Sequence, residues 1–187
     1  MQKIYIAALA VLCCSRAVAQ KGKLKFKTIN QVGLLAGASA NSLQLHSVNG
    51  VSYKTFSAGI GLGFDNYYFR TIPVFLDVRK YIFKEKHTPF VYAGLGLNFP
   101  EKKENIKSQW QQSKYKGGFY CDLGIGYQVP LKGKLALNMS FGYSRKNIGE
   151  TRAYRIFISP PYNEENLRKD YYDYTFRRVT VKLGLSF

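Results

Sequence analysis

Strict alternation of apolar and polar residues runs through the end of the chain. Val179, Val181, Leu183, Leu185 and Phe187 are apolar, while Arg178, Thr180, Lys182, Gly184 and Ser186 between them are small or polar. A period of two places these sets on opposite sides of a β-strand whose two faces meet different surroundings. The same pattern recurs upstream. Lys134–Arg145 sets Leu135, Leu137, Met139, Phe141 and Tyr143 against Ala136, Asn138, Ser140, Gly142 and Ser144. Gly118–Val129 sets Phe119, Cys121, Leu123 and Ile125 against Tyr120, Asp122, Gly124 and Gly126, and Pro89–Phe99 alternates in the same way. Tyr68–Phe83 reads as a strand with Ile72, Val74, Leu76 and Val78 on one face, and Pro73 predicts a local irregularity because it removes a ladder donor. Leu24–Gly37 is a strand of poorer alternation, Ser42–Val48 a short one, and Val51–Phe64 a longer one. Asn49-Gly50 between the last two is the pair best suited to a two-residue hairpin, since both of its positions tolerate positive φ.

Eight strands follow, and the lengths of their connections order them in space. The segments 38–41, 64–67, 100–117 and 146–174 fall at one end, while 49–50, 84–88 and 130–133 fall at the other and are short. Short turns at one end and long loops at the other characterise outer-membrane barrels. The expected fold is an all-β, eight-stranded antiparallel up-and-down transmembrane barrel. Its faces decide this against a soluble barrel. The non-apolar face is mostly Gly, Ser, Thr and Asn, small enough for a narrow lumen that side chains fill. The other face is nearly free of charge and suits hydrocarbon. Phe64, Phe99, Phe119, Tyr143 and Phe187 near strand ends are expected to form aromatic girdles.

The amino-terminus points to the same compartment. Lys3, the apolar run Ile4–Cys14 and Ala17-Val18-Ala19 have the layout of a secretion signal ending at residue 19, so 20–187 is expected to be the barrel domain. Arg16 interrupts the apolar run before the roughly 20 residues a transmembrane helix needs. Leu12 before Cys13 is too large for a lipoprotein site. Cys121 is then the only cysteine left, which excludes an internal disulfide. A mean hydropathy of −0.22 does not argue against membrane insertion, because strand signals are spread over short alternating segments. The net charge of +17 falls to +15 without Lys3 and Arg16. Export argues against nucleic acid as the counter-charge and favours anionic lipid and lipopolysaccharide phosphates.

Asn49-Gly50, the run Gly59–Asp65, Ile72–Arg79 and Pro89–Gly96 together resemble the small outer-membrane β-barrel family of Bacteroidetes-type bacteria, a porin-like or OmpA/OmpX-like eight-stranded barrel. The resemblance covers about Thr28 to Phe187. It implies a Gram-negative cell envelope, with terminal Phe187 as the signal read by the barrel-assembly machinery, and it implies no activity.

Candidate chemistry is sparse. Asp77, Arg79, Asp122, Arg178 and Lys182 fall on the lumen face, where charges must pair or reach water. They are expected to lock a closed plug rather than line a passage. Gly59-x-Gly61-x-Gly63 has the wrong spacing for a dinucleotide fingerprint. His46 and His87 map next to short turns with no nucleophile or orienting carboxylate at useful spacing, so both are expected to be turn residues. No cluster reads as a metal site, and no cofactor is expected. Lys102, Lys103, Lys107, Trp110, Lys114, Tyr115 and Lys116 mix cations with aromatics in an outer loop, a surface suited to lipopolysaccharide or a glycan, while Tyr162, Tyr171, Tyr172 and Tyr174 could extend strands above the membrane. The expectation is a monomeric, non-enzymatic barrel, structural or ligand-binding through its outer loops. The alternatives are a small porin or transporter, an accessory barrel of an envelope secretion complex, and a lipid-modifying enzyme.

Overall fold

The computed structural model describes residues 24–37, 41–66, 70–85, 87–101, 104–108, 111–155 and 167–187. The strands are β1 (Lys25–Ala36), β2 (Ser42–Tyr53), β3 (Phe56–Asn66), β4 (Arg70–Tyr81), β5 (Thr88–Pro100), β6 (Glu104–Ser108), β7 (Gln111–Pro130), β8 (Ala136–Arg155) and β9 (Leu167–Ser186). Every ladder is antiparallel: β1 to β5 pair in order, as do β6 to β9, β1 pairs β9, and β5 pairs β7 directly, which leaves β6 outside the ring. The result is a closed eight-stranded barrel, with β6 an added strand on the upper part of β7.

Alternation sets its inside and outside. On β9, Val181 is 53% exposed while its neighbours Thr180 and Lys182 are 0% and 3% exposed. Large apolar side chains such as Ile60, Leu76, Leu95, Ile125 and Phe141 cover the outer wall, and the polar set is buried in the lumen. Glycine makes the narrow bore possible. A Cβ at Gly61 would run into the Phe75 ring, which lies across the lumen at that level.

Two connections differ from the sequence reading. The chain does not turn at Asn49-Gly50. β2 runs straight through both residues, Gly50 faces Gly59 across the ladder, and the hairpin closes at Lys54-Thr55 between the paired residues Tyr53 and Phe56. The apolar set explains this: Val51 and Tyr53 keep the parity of Leu43 and Leu45, and the parity changes only at Phe56. A two-residue turn produces that change, because the residues flanking it share a face. The second strand is thereby 12 residues long and as complete as its neighbours.

Nor is 146–174 a loop throughout. β8 and β9 stay paired from Ala136↔Ser186 to Arg155↔Leu167, and both are 20 residues long against 11–13 for β1–β5. β7 matches them in length, and part of segment 100–117 forms the β6–β7 hairpin. Four strands thus rise above the rest of the wall as a free-standing sheet, by about 20 Å along β8 from Gly149 to Arg155 at roughly 3.4 Å per residue. At Gly117–Tyr120 the β7–β8 register shifts, and a bulge there flips which residues of β7 face inward. Pro73 leaves a gap in the β3–β4 ladder between Leu62↔Val74 and Asp65↔Thr71, while its pairing with Asn98 on β5 is kept.

Candidate functional site

Following β4 from its short-turn end, the lumen fills layer by layer. Lys27 Nζ donates to the Tyr81 hydroxyl at 2.7 Å and to Gln128 Oε1 at 2.9 Å. Above it, Arg79 grips Asp77 with two bonds, Nε to Oδ1 at 2.7 Å and Nη2 to Oδ2 at 3.3 Å. With the Gln31 carboxamide turned oxygen-first, Arg79 Nη1 also donates to it at 3.2 Å. The guanidinium lies 5.5 Å from the Phe90 ring centre. Next, Lys182 is ion-paired with Asp122, which also accepts from Tyr92 at 3.1 Å. The Lys182 ammonium sits 4.3 Å over the Tyr92 ring. Fork-shaped and charge-assisted bonds of this sort satisfy charges that burial would otherwise penalise heavily.

Aromatic rings close the next level. Phase by phase along β4, Phe75 follows, 5.3 Å from Tyr120 and 5.0 Å from the His46 ring. His46 Nε2 lies 3.1 Å from Asp65 Oδ1, and Gln44 Nε2 lies 2.9 Å from His46 Nδ1. Toward the long-loop end, Lys146 Nζ donates to Thr71 Oγ1 at 2.7 Å and Arg178 donates to Ser42 at 3.3 Å. Asn98 Nδ2 reaches three backbone carbonyls, those of Gly118, Phe119 and Asn147, at 3.0–3.1 Å.

Asp77, Arg79, Asp122, Arg178 and Lys182 are all buried in the lumen, as two ion pairs plus Arg178. Among the described residues Lys27, His46, Asp65 and Lys146 join them, none of which the sequence alone placed there. His46 is mid-strand and 5% exposed rather than a turn residue, and it does have a carboxylate beside it. Asp65 belongs to β3 rather than to a turn, and Lys146 to β8 rather than to a loop. Their parity was the available signal: Asp65 continues Gly59, Gly61 and Gly63, and Lys146 continues Ser140, Gly142 and Ser144. His87 is exposed beside the β4–β5 turn, as expected for a turn residue. The His46 ring sits among polar partners in the lumen. Both ring nitrogens already face Gln44, Asp65 or Tyr120, and no serine or cysteine is among these partners.

The raised sheet carries a second group. On its lumen-side face Arg152 binds Glu150 with two bonds at 2.8 and 2.9 Å, and the Tyr174 hydroxyl donates to Glu150 Oε2 at 3.0 Å. Those bonds, with the Arg152 guanidinium first, hold the Glu150 carboxyl below its ordinary range, and burial of Tyr174 raises its phenol. Tyr172, Tyr174 and Phe176 stack in a ladder with ring centres 6.2–6.4 Å apart, and Arg152 lies 4.6 Å from the Tyr172 ring centre. On the opposite, outward face, Arg145 of β8 is paired directly with Arg177 of β9. Both are exposed, and neither bonds a carboxylate among the described residues. Immediately below them on the same face lie Tyr143 and Val179, the top of the apolar wall.

Lys114 and Tyr115 are consecutive in β7 and point to opposite faces, Tyr115 toward Glu150 and Lys114 outward beside Thr151, so they do not make one surface. Lys102, Lys103, Trp110 and Tyr162 lie outside the described residues. Phe187 is 56% exposed at the short-turn end, and its backbone exchanges hydrogen bonds of 2.9 and 3.0 Å with Thr28. Among the described residues no group of His, Cys, Asp and Glu could hold a metal ion.

No family model matches the chain, and no curated protein matches it. Solved structures do. The N-terminal β-barrel domain of Pseudomonas aeruginosa OprF superposes with a TM-score of 0.53 at 13% identity, over 89% of this chain and 100% of that one. Neisserial surface protein A gives 0.53 at 8% identity, over 89% and 98%. The outer-membrane protein AlkL, determined in DMPC lipid bilayers, gives 0.52 at 14% identity, over 90% of each chain. At such identities the likeness is one of fold: these are eight-stranded outer-membrane barrels, and this chain has the same closed architecture.

Proposed function

We propose that this chain is a non-enzymatic outer-membrane barrel with a sealed lumen, acting as an anchor for a lipopolysaccharide-binding face at its long-loop end. One contrast carries the reading: the lumenal charges are ion-paired or hydrogen-bonded inside, while the outer wall is almost wholly apolar. An exposed wall bearing Ile60 at 63%, Leu76 at 63% and Ile125 at 62% exposure exceeds what a water-facing monomer tolerates. In a bilayer the same wall is matched to acyl chains. A lumen crossed by the Arg79–Asp77 and Lys182–Asp122 pairs and by the Phe75, Tyr120 and His46 rings supports a plug rather than a pore. The resemblance of the Ile72–Arg79 and Pro89–Gly96 segments to small barrels of Bacteroidetes-type bacteria supports the envelope assignment and entry through the barrel-assembly machinery by way of Phe187.

The Arg145–Arg177 rung supports the choice of ligand. Like charges directly opposite one another on one face of a sheet destabilise it. Two guanidinium forks at the top of the apolar wall match the phosphates of a lipid headgroup in geometry as well as in charge. Purified protein in planar bilayers is expected to give background conductance. Arg145→Gln combined with Arg177→Gln is expected to weaken lipopolysaccharide binding about tenfold, as the loss of charge-assisted contacts implies. Stepwise ion conductance by the folded wild type, or binding unchanged in the double variant, would count against the reading.

A further inference from the structure

The apolar wall contains one polar island. On its outward face β1 carries Thr28 and Asn30 where Phe26, Val32 and Leu34 continue the apolar row, and β2 carries Ser47 and Asn49 between Leu45 and Val51. These four residues form two adjacent rungs, Thr28↔Asn49 and Asn30↔Ser47. Large apolar residues enclose them on every side. Asn30 faces Leu185 across the β1–β9 ladder, and Ser47 and Asn49 face Leu62 and Ile60 across the β2–β3 ladder. Within the island Thr28 Oγ1 donates to Asn49 Oδ1 at 2.8 Å, and Ser47 Oγ donates to Asn30 Oδ1 at 2.7 Å. Both carboxamide oxygens are thus engaged, and both carboxamide nitrogens are left without a partner among the described residues. Beside the island runs a groove of about 790 Å³, walled by Val32, Leu45, Leu62, Leu183 and Leu185.

The wall faces lipid in the function proposed above, on which this inference rests. In hydrocarbon no water reaches an unpaired amide N–H, and each such group is costly. We infer that this island is the contact surface for a second copy of the same chain. A carboxamide is both donor and acceptor, so it is complementary to its own two-fold image, and each acceptor oxygen keeps a second lone pair for the partner's N–H. Two copies inserted in the same sense place their islands at the same depth without further adjustment. A two-fold axis along the membrane normal then brings β1–β2 of one barrel onto β1–β2 of the other. Strands tilted by about 40° cross at about twice that angle across such an axis, which confines close contact to a small area, the size of the island rather than of the whole wall. The groove beside the island gives the partner's projecting leucines a seat.

The test uses the full mature chain in lipid vesicles, with Cys121→Ser removing the native thiol. Leu45→Cys, at the rim of the island, is expected to give disulfide-linked dimers on mild oxidation, whereas Leu123→Cys on a distant part of the wall is not. In the cysteine-free protein, Asn30→Leu together with Asn49→Leu is expected to lower the dimer population, counted by single-molecule photobleaching, about tenfold, as for the loss of one to two kcal/mol of polar contact within a membrane. Heat-modifiable migration in detergent gels reports that the variant barrel is still folded. Folded protein that floats with the vesicles as a monomer at every protein-to-lipid ratio would overturn the inference alone, as would a dimer population that the variant leaves unchanged. A co-purifying lipid, bound to monomers through its hydroxyl and lost in the variant, would also overturn it. Protein that stays in solution instead of floating with the vesicles would overturn the lipid-facing reading and this inference together.

Discussion

Lys54 holds φ at 53°, a left-handed conformation that costs an ordinary L residue about 1–2 kcal/mol. Lys54→Gly is therefore expected to raise the thermal midpoint of the barrel in detergent, by an increment worth about 1 kcal/mol. Position 54 inside a strand would reverse the sign, because glycine weakens a strand by about 0.5–1 kcal/mol. The measurement thus tests where the chain turns. At this scale the sequence is legible wherever parity is followed, and misleading where a dipeptide is read by itself. Asn49-Gly50 has the best turn chemistry in the region, yet Gly50 is spent on the close approach of β2 to β3, where a Cβ would meet the Ala58 carbonyl and the Gly59 backbone. The change of parity between Tyr53 and Phe56 was the stronger signal. His46 was misplaced for the same reason: once the turn moves to Lys54-Thr55, it falls mid-strand and inside.

β7, β8 and β9 are each long enough to leave the wall behind, and what holds them upright differs from what holds the barrel. Above the bulge at Gly117–Tyr120 the sheet is stabilised on its lumen-side face by the Glu150–Arg152–Tyr174 group and the stack of rings beneath it. The carboxyl of Glu150 is held below its unfolded value, so its bonds stabilise the raised sheet above that value, about pH 4.3 for an ordinary glutamate, and the contribution is lost as pH falls through the lower folded value. Amide exchange of Thr151 and Tyr172 is expected to stay slow from neutral pH down to about 4.3 and to accelerate in stronger acid, apart from the intrinsic pH dependence measured on a reference peptide. Glu150→Gln is expected to exchange fast at all these values. The strand extensions were only partly legible. Tyr171, Tyr172 and Tyr174 suggested strand above the wall, but Lys146–Arg155 has charge on both faces and no apolar alternation, since its outward face lies above the apolar wall and its inward face carries Lys146, Glu150 and Arg152. The Arg145–Arg177 rung could not be read at all without the β8–β9 register.

For the molecule as a whole, the proposed plug draws stability and closure from the same residues. Asp122 accepts from Tyr92 and pairs with Lys182, and Lys182 in turn lies over the Tyr92 ring. Asp122→Ala leaves a buried ammonium uncompensated, which is expected to destabilise the barrel by about 3–5 kcal/mol and to lower its thermal midpoint, with conductance still at background because the rings and the Arg79–Asp77 pair remain. Asp122→Leu with Lys182→Met removes both charges at similar volume and is expected to recover most of that loss. A large new conductance in Asp122→Ala would instead make the pair a gate. The barrel class was legible from two facts together, alternation and a non-apolar face made of Gly, Ser and Asn, because a narrow closed lumen needs small residues and a water-facing sheet does not. The polar island was hidden in that same reading, since Asn30 and Ser47 look like ordinary lumen residues until the register turns them outward.

The ladders of the barrel are unequal. β8 and β9 hold one another over their full lengths, whereas β1 meets β9 only from Ile29↔Ser186 to Ala36↔Val179, with one further exchange at Thr28 and Phe187. That join links the earliest strand to the latest, and among the described residues it runs over a shorter span of strand than the other ladders of the cylinder. The wall is therefore least firmly sewn there, and lateral strain is expected to part it at that join before any other.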